Sequence, residues 1–469
     1  MPNPNSSRRT FVKTIGGAGF AVGLAGCTGN GGNGGNGNGG GGNGNGGNGG
    51  NGNGGTSGGN GNGDADGVRV GALFPLSGGL AQLGEESLRG VELAVKERNA
   101  NGGISGEEVS LVTKDAPDAD AGVSAVESLA TVEEVPVTVG SYSSTISAAS
   151  SRRASTYDLP YWELGAVADS ITEEGADNTF RTCAPASFFG RDGMDLTANV
   201  IAPALDTDPS DLNVAIMYES GEYGNAVGDS ARSAAEDLGL NVVEDIEYEA
   251  DTSDLSSAVQ RLGEADVDVL NHTGYDADID LLWTQLSNLD VFIPAAVGNG
   301  GGYSLTTYRE NVGDNTALGV FNEDFTQYNT NPEFAPGIEE FVQLYADEFG
   351  DPPLSGHSLA NYFGANVLFD VMENADSYDL DTIREEAFAL DRELNTSATS
   401  WGVSFNEETQ QNERISVVGH QWQEDTYDDD IWHPEVTDGT PDLYSIFPEE
   451  ARLEGIDVTN IPQPDYTEE

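Results

Sequence analysis

The side chains that could support nucleophilic or metal chemistry are few and scattered in this 469-residue chain. Of the two cysteines, Cys183 lies between Phe180-Arg181-Thr182 and Ala184-Pro185, an extended apolar context that predicts a buried thiol. No Ser-His-Asp arrangement and no metal-ligand spacing emerges from the four histidines, which are His272, His357, His420 and His433. We therefore expect no enzyme activity, no metal centre and no cofactor.

The other cysteine, Cys27, has neighbours that indicate covalent modification. The chain carries Arg8-Arg9, then the uncharged stretch Thr14–Ala25, and Leu24-Ala25-Gly26 directly before Cys27. The apolar stretch is shorter than the roughly 20 residues that span a bilayer. We predict that residues 1–26 are a twin-arginine (Tat) signal peptide ending in a lipobox, and that Cys27 becomes the lipid-modified first residue. The alternative is a plain N-terminal membrane anchor. The lipoprotein interpretation places the protein on the extracellular face of the cell membrane.

A low-complexity segment follows Cys27. Residues 29–63 are almost entirely Gly and Asn. Such a composition cannot bury apolar surface, so we predict that residues 27–63 are a flexible linker. Its r.m.s. reach would be roughly 30–35 Å. A spacer of this kind between a lipid anchor and a folded body suggests a protein that works beside a membrane.

The charge of the chain limits its partners and its environment. There are 80 Asp and Glu residues against 19 Lys and Arg residues, a net charge of −61. This charge argues against nucleic acid and anionic membrane surfaces as partners. It would loosen the fold by self-repulsion unless salt screened it, and at about 1 M salt the Debye length is only about 3 Å. The composition resembles that of haloarchaeal proteins.

The elements that must position any site alternate regularly along residues 64–469. Short apolar runs such as Val68–Phe74, Val109–Thr113 and Val214–Tyr218 predict buried strands. Apolar residues at helical spacing follow them, and the Asn101-Gly102-Gly103 triplet marks the end of the first helix. Strands that alternate with helices predict an α/β fold with parallel sheets, and about 400 residues suggest two lobes.

The residues just after each predicted strand are the candidate binding residues, because ligands bind beyond the carboxyl ends of parallel strands. These loops are small, hydroxylic and mostly uncharged: Ser77-Gly78-Gly79, Ser141–Thr145, Gly165-Ala166, Thr273-Gly274-Tyr275 and Gly298-Asn299-Gly300. Backbone N–H groups at helix starts, with Ser hydroxyls beside them, suit a small anion such as a carboxylate. Each loop alone could simply turn the chain. Five in series favour a shared small-molecule cleft, with Ser77 and Tyr142 among its candidates.

Several motifs of the sequence resemble those of a known family. Gly71-Ala72-Leu73-Phe74-Pro75-Leu76-Ser77-Gly78, followed by Asn101-Gly102-Gly103-Ile104-Ser105-Gly106, resembles the extracytoplasmic solute-binding proteins of branched-chain amino acid (Leu/Ile/Val-type) ABC importers. Further matches are Gly140 with Ser143-Ser144, and the Tyr223-Gly224 loop. Gly402-Val403-Ser404-Phe405 and Gln421-Trp422 resemble the closing strands of the family. The resemblance covers most of residues 68–423.

The resemblance implies a type I periplasmic-binding-protein fold, in which two Rossmann-like lobes are joined by three crossings and close on the ligand by a hinge motion. On this basis the sequence divides into a first lobe, a second lobe, a return to the first lobe, and closing strands with a C-terminal tail. The corresponding ranges are residues 64–183, 184–319, 320–398 and 399–469.

The resemblance also implies roles for individual residues. A ligand carboxylate would be held by Ser143, Ser144, Gly165 and Ala166, and Tyr275 would contact the ligand from the second lobe. Asn299 would stand where the family carries an acid that pairs with the ligand ammonium. Either Asp276 or Glu163 would then supply the acid, or the ligand has no cationic amine, because an unpaired buried charge is costly.

These implications lead to one expected function and one alternative. We expect a tethered receptor that captures a small solute, an amino acid or a related carboxylate or amide, and delivers it to ABC permease subunits. The alternative is a ligand-sensing subunit of a signalling system with the same fold. An enzyme such as an amide hydrolase is disfavoured, since no catalytic constellation is visible.

Overall fold

The computed structural model describes residues 67–173, 177–250, 252–427, 430–433 and 439–467. The predicted signal peptide, the linker and Cys27 lie outside the described residues. Within these ranges, no helix is both long and apolar enough to cross a membrane.

The first half of the described chain is built on a parallel sheet. Its strands are β1 (Val68–Phe74), β2 (Val109–Asp115), β3 (Thr138–Gly140), β4 (Tyr161–Glu163) and β5 (Thr179–Arg181). They lie in the order β2-β1-β3-β4-β5, and every pairing is parallel. The connecting helices are α1 (Ala81–Ala100), α2 (Ala119–Thr131), α3 (Ser144–Ser155) and α4 (Ser170–Glu173). We call this part lobe I.

A larger sheet forms the centre of lobe II. Its strands are β6 (Asn213–Glu219), β7 (Asn241–Tyr248), β8 (Val269–Thr273), β9 (Ala295–Asn299), β10 (Phe321–Asp324), β11 (Val418–Glu424) and β12 (Pro441–Phe447), in the order β12-β11-β10-β9-β8-β6-β7. The strands from β7 to β10 are parallel, whereas β11 is antiparallel to both of its neighbours. The helices around this sheet are α5 (Ala186–Leu196), α6 (Ala202–Ala204), α7 (Glu222–Leu238), α8 (Ser256–Glu264), α9 (Asp276–Asn288), α10 (Thr306–Val312) and α11 (Asp314–Ala317).

The chain passes between the two sheets three times. It leaves lobe I after β5, returns after β10, and enters lobe II again at β11. The return carries helices α12 (Ile338–Phe349), α13 (Gly356–Asn374) and α14 (Leu380–Phe388). Two sheets with three crossings confirm the predicted fold class.

Two glycines explain why α1 can hold the returning helix close to lobe I. A Cβ atom at Gly90 would lie 2.1 Å from the carbonyl oxygen of Ser358 on α13, so only glycine permits this approach. Gly103, just beyond the end of α1, has a φ of +78°, and a Cβ there would lie 1.8 Å from the Glu107 carbonyl oxygen. The helix thus ends at the predicted glycine turn, and α13 packs against α1 in a fixed position.

The structure corrects two of the boundaries drawn from the sequence. Strand β10 pairs with β9 and β11, so residues 321–324 belong to lobe II and not to the return. Residues 399–417 pack on lobe I instead of forming closing strands, because the Phe405 ring lies 5.4 Å from Trp162 and 5.3 Å from Phe180. Gly402–Phe405 forms only isolated bridges there, and the closing strand begins at Val418.

Candidate functional site

A cavity lies between the two sheets, beyond the carboxyl ends of their strands. It contains about 310 Å³ of space between atoms. Both lobes contribute side chains to its wall. The lining residues are Tyr142, Ser144, Gly165, Val167, Phe189, Tyr223, Tyr275, Gly300, Gly301, Asp324, Phe325 and His357. This is the position in which open parallel sheets bind ligands.

The acidic residue in the wall is Asp324, the last residue of β10. Its side chain is fully buried. The carboxylate accepts hydrogen bonds from the Ser304 hydroxyl, from the Phe325 N–H at 2.7 Å and from Nε2 of Gln327 at 3.3 Å. Burial raises the pKa of Asp324 to about 7, against the hydrogen bonds from Ser304 and Phe325, which lower it. Among the described residues, neither Lys nor Arg forms an ion pair with it.

Gln327 connects Asp324 to the start of α13. Its Nε2 donates to the carboxylate, and its Oε1 accepts from the Gly356 N–H at 2.7 Å. His357, the next residue, lines the cavity with its imidazole. Burial lowers the pKa of His357 to about 3, so the ring is neutral at neutral pH.

Aromatic rings line the cavity in one continuous series. The ring centroids are 5.4 Å apart for Tyr223 and Tyr275, 6.2 Å for Tyr275 and Tyr142, 5.3 Å for Tyr142 and His357, 5.0 Å for His357 and Phe325, and 5.7 Å for Phe325 and Phe189. We call these six residues the aromatic belt. It includes rings from both lobes.

Glu163, at the end of β4, holds the small-residue loop that follows it. Its carboxylate accepts from the backbone N–H groups of Leu164 at 2.9 Å, Gly165 at 2.9 Å and Ala166 at 2.7 Å. The second oxygen accepts from the Ser141 N–H at 3.1 Å and from the Ser147 hydroxyl. Burial raises the pKa of Glu163 to about 7. The loop N–H groups are therefore already occupied by this side chain.

The hydroxyl of Ser144 satisfies the next two backbone groups. Its oxygen accepts from the Val167 N–H at 3.3 Å and the Ala168 N–H at 3.1 Å. Together Glu163 and Ser144 use the N–H groups of five consecutive residues, 164–168. The hydroxyl hydrogen of Ser144 remains the group that this loop region can offer to the cavity.

The surroundings of the cavity are electrostatically negative. Burial raises the pKa of the Tyr142 hydroxyl well above its usual value, and the carboxylates of Asp276 and Asp324 raise it further. The pKa of the Tyr223 hydroxyl is raised in the same way by burial, with contributions from Asp324 and Glu219. None of the described residues in the cavity wall is Lys or Arg.

Comparisons with known proteins identify the fold and the family. A sequence profile described as periplasmic binding protein matches residues 67–414. The Leu/Ile/Val-binding protein homolog 7 of Brucella melitensis is 39% identical over 358 residues, which is 76% of this chain and 89% of that protein. The chain belongs to the periplasmic binding protein family. It is a binding protein and not an enzyme, as predicted from the sequence.

Solved structures of periplasmic binding proteins share the fold. The branched-chain amino acid binding protein LivJ of Streptococcus pneumoniae, in complex with isoleucine, has a TM-score of 0.65 at 20% identity, covering 81% of this chain and 99% of that chain. A solute-binding protein of Rhodopseudomonas palustris, in complex with 3,4-dihydroxybenzoic acid, has a TM-score of 0.64 at 18% identity, covering 83% of this chain and 98% of that chain. One of these ligands has an amine and the other does not.

Four of the residues predicted from the sequence lie together in the wall of this binding protein's cavity: Tyr142, Ser144, Gly165 and Tyr275. The other four do not line it. Ser77 donates to Asp115 at 2.6 Å on an exposed part of lobe I. Ser143 is buried directly before α3, and the Ala166 N–H is held by Glu163.

Asn299 is the largest correction. It lies within β9, and its side chain faces α5, because a Cβ atom at Gly193 would lie 3.1 Å from its Oδ1. Its Nδ2 donates to Asn271 Oδ1 at 3.0 Å and to Thr273 Oγ1 at 3.1 Å. Asn299 therefore lies outside the cavity wall, and its place beside a ligand ammonium stays a prediction. Glu163 is occupied by its own loop, and Asp276, whose pKa burial raises to about 6, lies outside the wall.

Sequence reasoning missed Asp324 because β10 was not recognised. The strand reads Phe321-Asn322-Glu323-Asp324, and three polar residues in four hide it from a search for apolar runs. Had it been recognised, the rule on carboxyl ends would have pointed to Asp324. Phe325 directly follows the same strand and was missed with it, whereas Phe189 and His357 had no comparable signal, since they lie on helices that follow crossings between the lobes. Cys183, in contrast, is buried and unpaired, as predicted.

Proposed function

We propose that the protein is a membrane-tethered receptor that captures a small solute outside the cell and delivers it to the permease of an ABC importer. The observation that carries this proposal is the cavity between the sheets, whose wall is built from both lobes. Ligand that contacts both lobes stabilises the closed arrangement over an open one, which is how a hinged receptor reports that it is loaded.

The tether rests on the N-terminal sequence. Arg8-Arg9 directs export by the twin-arginine route, and Cys27 carries the lipid. The Gly/Asn-rich linker lets the receptor reorient at the membrane surface. The net charge of −61 suits a protein that works in concentrated salt, where self-repulsion is screened.

Capture and delivery are tested by one genetic experiment. Solutes are first identified by thermal shift in molar KCl, since a ligand that binds only the folded state stabilises it. Uptake of the labelled solute is then measured in cells that lack the gene. Uptake should be lost, and restored by the wild-type gene. Binding without any loss of uptake would contradict delivery to a permease and favour the ligand-sensing alternative.

The tether is tested by fractionation with a matched pair of cysteine variants. Cys27→Ser should release the protein from the membrane fraction or block its maturation. Cys183→Ser, which changes the buried thiol, should leave the protein in the membrane fraction. Equal membrane association of both variants would overturn the lipid anchor.

A further inference from the structure

A group of buried carboxyl groups lies at the β11–β12 edge of the lobe II sheet. Asp425 directly follows β11, Asp430 lies between the two strands, and Asp442 lies in β12. Their exposed fractions are 1%, 7% and 4%. Asp425 and Asp442 line a cleft of about 730 Å³ together with His433 and with Arg309 of α10. None of these residues lines the cavity between the lobes.

The hydroxyl of Tyr444 on β12 joins two of these carboxyl groups. Its oxygen lies 2.7 Å from Asp430 Oδ2 and 2.9 Å from Asp425 Oδ1, which are both hydrogen-bonding distances. A tyrosine hydroxyl has one hydrogen, so it can donate to only one of two carboxylates. The other contact needs a second hydrogen between the two oxygens, and a protonated carboxyl supplies it. One of the two aspartates is therefore a neutral acid in this arrangement.

The surroundings of the two groups decide which of them holds the proton. Asp430 accepts from the Asn329 side-chain amide at 3.0 Å and from the His433 backbone N–H, so its anion has two donors besides Tyr444. Asp425 Oδ2 faces the cleft, is buried, and has no hydrogen-bond partner within the described residues. Donors stabilise a carboxylate, whereas burial without donors favours the neutral acid. The proton therefore belongs on Asp425, which donates it to the Tyr444 oxygen.

The charges nearest to the pair favour this proton. Burial raises the pKa of both Asp425 and Asp430, and the Asp442 carboxylate raises both further. The imidazole of His433 is directed to Asp442, since its Nδ1 lies 2.6 Å from Asp442 Oδ2. Two carboxylates joined by one hydroxyl would repel each other, and a proton between them removes that repulsion.

The other charged and titratable groups around the cleft have partners of their own. Arg309 on α10 donates to the Pro441 carbonyl at 3.1 Å and lies 3.8 Å from both Glu310 and Asp314. Tyr427, whose ring centroid lies 5.0 Å from that of Tyr444, is a neutral phenol, because burial raises its pKa. Within the described residues, no Lys or Arg forms an ion pair with the two aspartates that Tyr444 joins.

From these contacts we infer that Asp425 and Asp430 share one proton through the Tyr444 hydroxyl in the folded protein, and that this proton holds the segment after β11 against β12. Because the proton is lost as the pH rises, the contact is a pH-sensitive element of lobe II. The inference goes beyond solute capture and does not depend on it, since the pair lies outside the cavity wall.

The pH range of the effect follows from linkage. An Asp titrates at 3.8 in the unfolded chain, whereas burial raises the pKa of Asp430 in the folded protein to about 6. Between these values the folded state binds more protons than the unfolded state. The stabilisation by the shared proton is therefore complete below about pH 4 and is lost as the pH rises through about 6. One extra proton changes the folding equilibrium constant by about tenfold per pH unit.

The test replaces the neutral acid by its neutral isostere. In Asp425→Asn the amide NH₂ can donate to the Tyr444 oxygen at every pH. We expect the variant to match the wild type at about pH 4, and its folding equilibrium constant to exceed that of the wild type by up to about 100-fold at pH 8. Urea unfolding of the full-length protein in molar KCl measures the difference. Glu424→Gln, at the exposed residue before Asp425, is the matched control and should differ from the wild type by a small amount that is constant with pH.

A second variant and a second measurement locate the proton. Asp430→Asn should lower stability at every pH, because its NH₂ group would face the donors of Asn329 and His433. Infrared spectra in D₂O at about pH 5 distinguish a protonated carboxyl from a carboxylate. The wild-type spectrum minus that of Asp425→Asn should contain the band of one protonated carboxyl, whatever the stabilities of the two proteins.

Three results would overturn the inference. The first is a stability difference between Asp425→Asn and the wild type that is constant with pH, or a variant that is less stable than the wild type at pH 8. The second is the absence of the protonated-carboxyl band from the difference spectrum. The third is a gain of stability at pH 8 in Asp430→Asn instead of Asp425→Asn, which would place the proton on the other aspartate.

Discussion

Replacing Glu163 by Gln tests how the two loops of lobe I are held. The carbonyl oxygen of the new amide can still accept from the N–H groups of residues 164–166. In the wild type the second carboxylate oxygen accepts a hydrogen bond from the Ser141 N–H at 3.1 Å. In the variant an NH₂ group takes the place of that oxygen and faces the same N–H. Two donors then face each other in a buried position. We expect a loss of about 1–2 kcal/mol in the free energy of unfolding, measured at about pH 5.

The same variant should change how stability depends on pH. The pKa of Glu163 is 4.5 in the unfolded chain and about 7 in the folded protein. Between these values the folded state binds more protons, so the wild-type free energy of unfolding falls as pH rises, by about 3 kcal/mol in total. The amide in the Glu163→Gln variant does not titrate. The advantage of the wild type at about pH 5 should therefore vanish or reverse by about pH 8.

The measurement is urea unfolding in molar KCl, followed by tryptophan fluorescence at several pH values. Other carboxyl groups titrate equally in both proteins and cancel in the difference. Glu108→Gln, at an exposed position, is the control. Its free energy of unfolding should differ from that of the wild type by a small amount that is constant with pH. If the free energies of unfolding of the wild type and Glu163→Gln differ by the same amount at every pH, the raised pKa of Glu163 is refuted. Equal stabilities at about pH 5 would refute the acceptor role.

One further prediction concerns an amide near the cavity. Asn299→Asp replaces a donor that serves Asn271, Thr273 and a backbone carbonyl, so it should destabilise the fold by about 2–5 kcal/mol in thermal or urea unfolding, without changing solute preference. Tighter binding of amino acids by this variant would restore Asn299 to the ammonium position.

The fold was predictable because its signals are local. Strand β1 has the predicted bounds, Val68–Phe74, and α1 ends at the predicted glycine turn. Both depend on residues next to each other in sequence: an apolar run, and a glycine that alone tolerates a positive φ. The family resemblance of this first segment supplied the rest of the architecture.

The site was predictable only where it lies directly after a recognisable strand. Tyr142 and Tyr275 satisfy that condition, and both line the cavity. Asp324 satisfies it too, but its strand is polar. A loop sequence does not show which group accepts a hydrogen bond from each backbone N–H. The Gly165 and Ala166 N–H groups donate to Glu163 because the folded chain turns back toward that side chain. The predicted part of the anion site at Gly165 and Ala166 therefore has its N–H groups already in use, while the part at the start of α3 stays a prediction.

The contact between Gln327 and Asp324 constrains how this receptor can evolve. The acid in the cavity wall is also an acceptor for the side chain that fixes the Gly356 N–H at the start of α13. A mutation at Asp324 that altered which solute the cavity accepts would also remove an anchor of the segment that returns the chain to lobe I. New specificities are therefore reached more easily through the aromatic residues, whose replacement leaves that anchor intact, than through the acid.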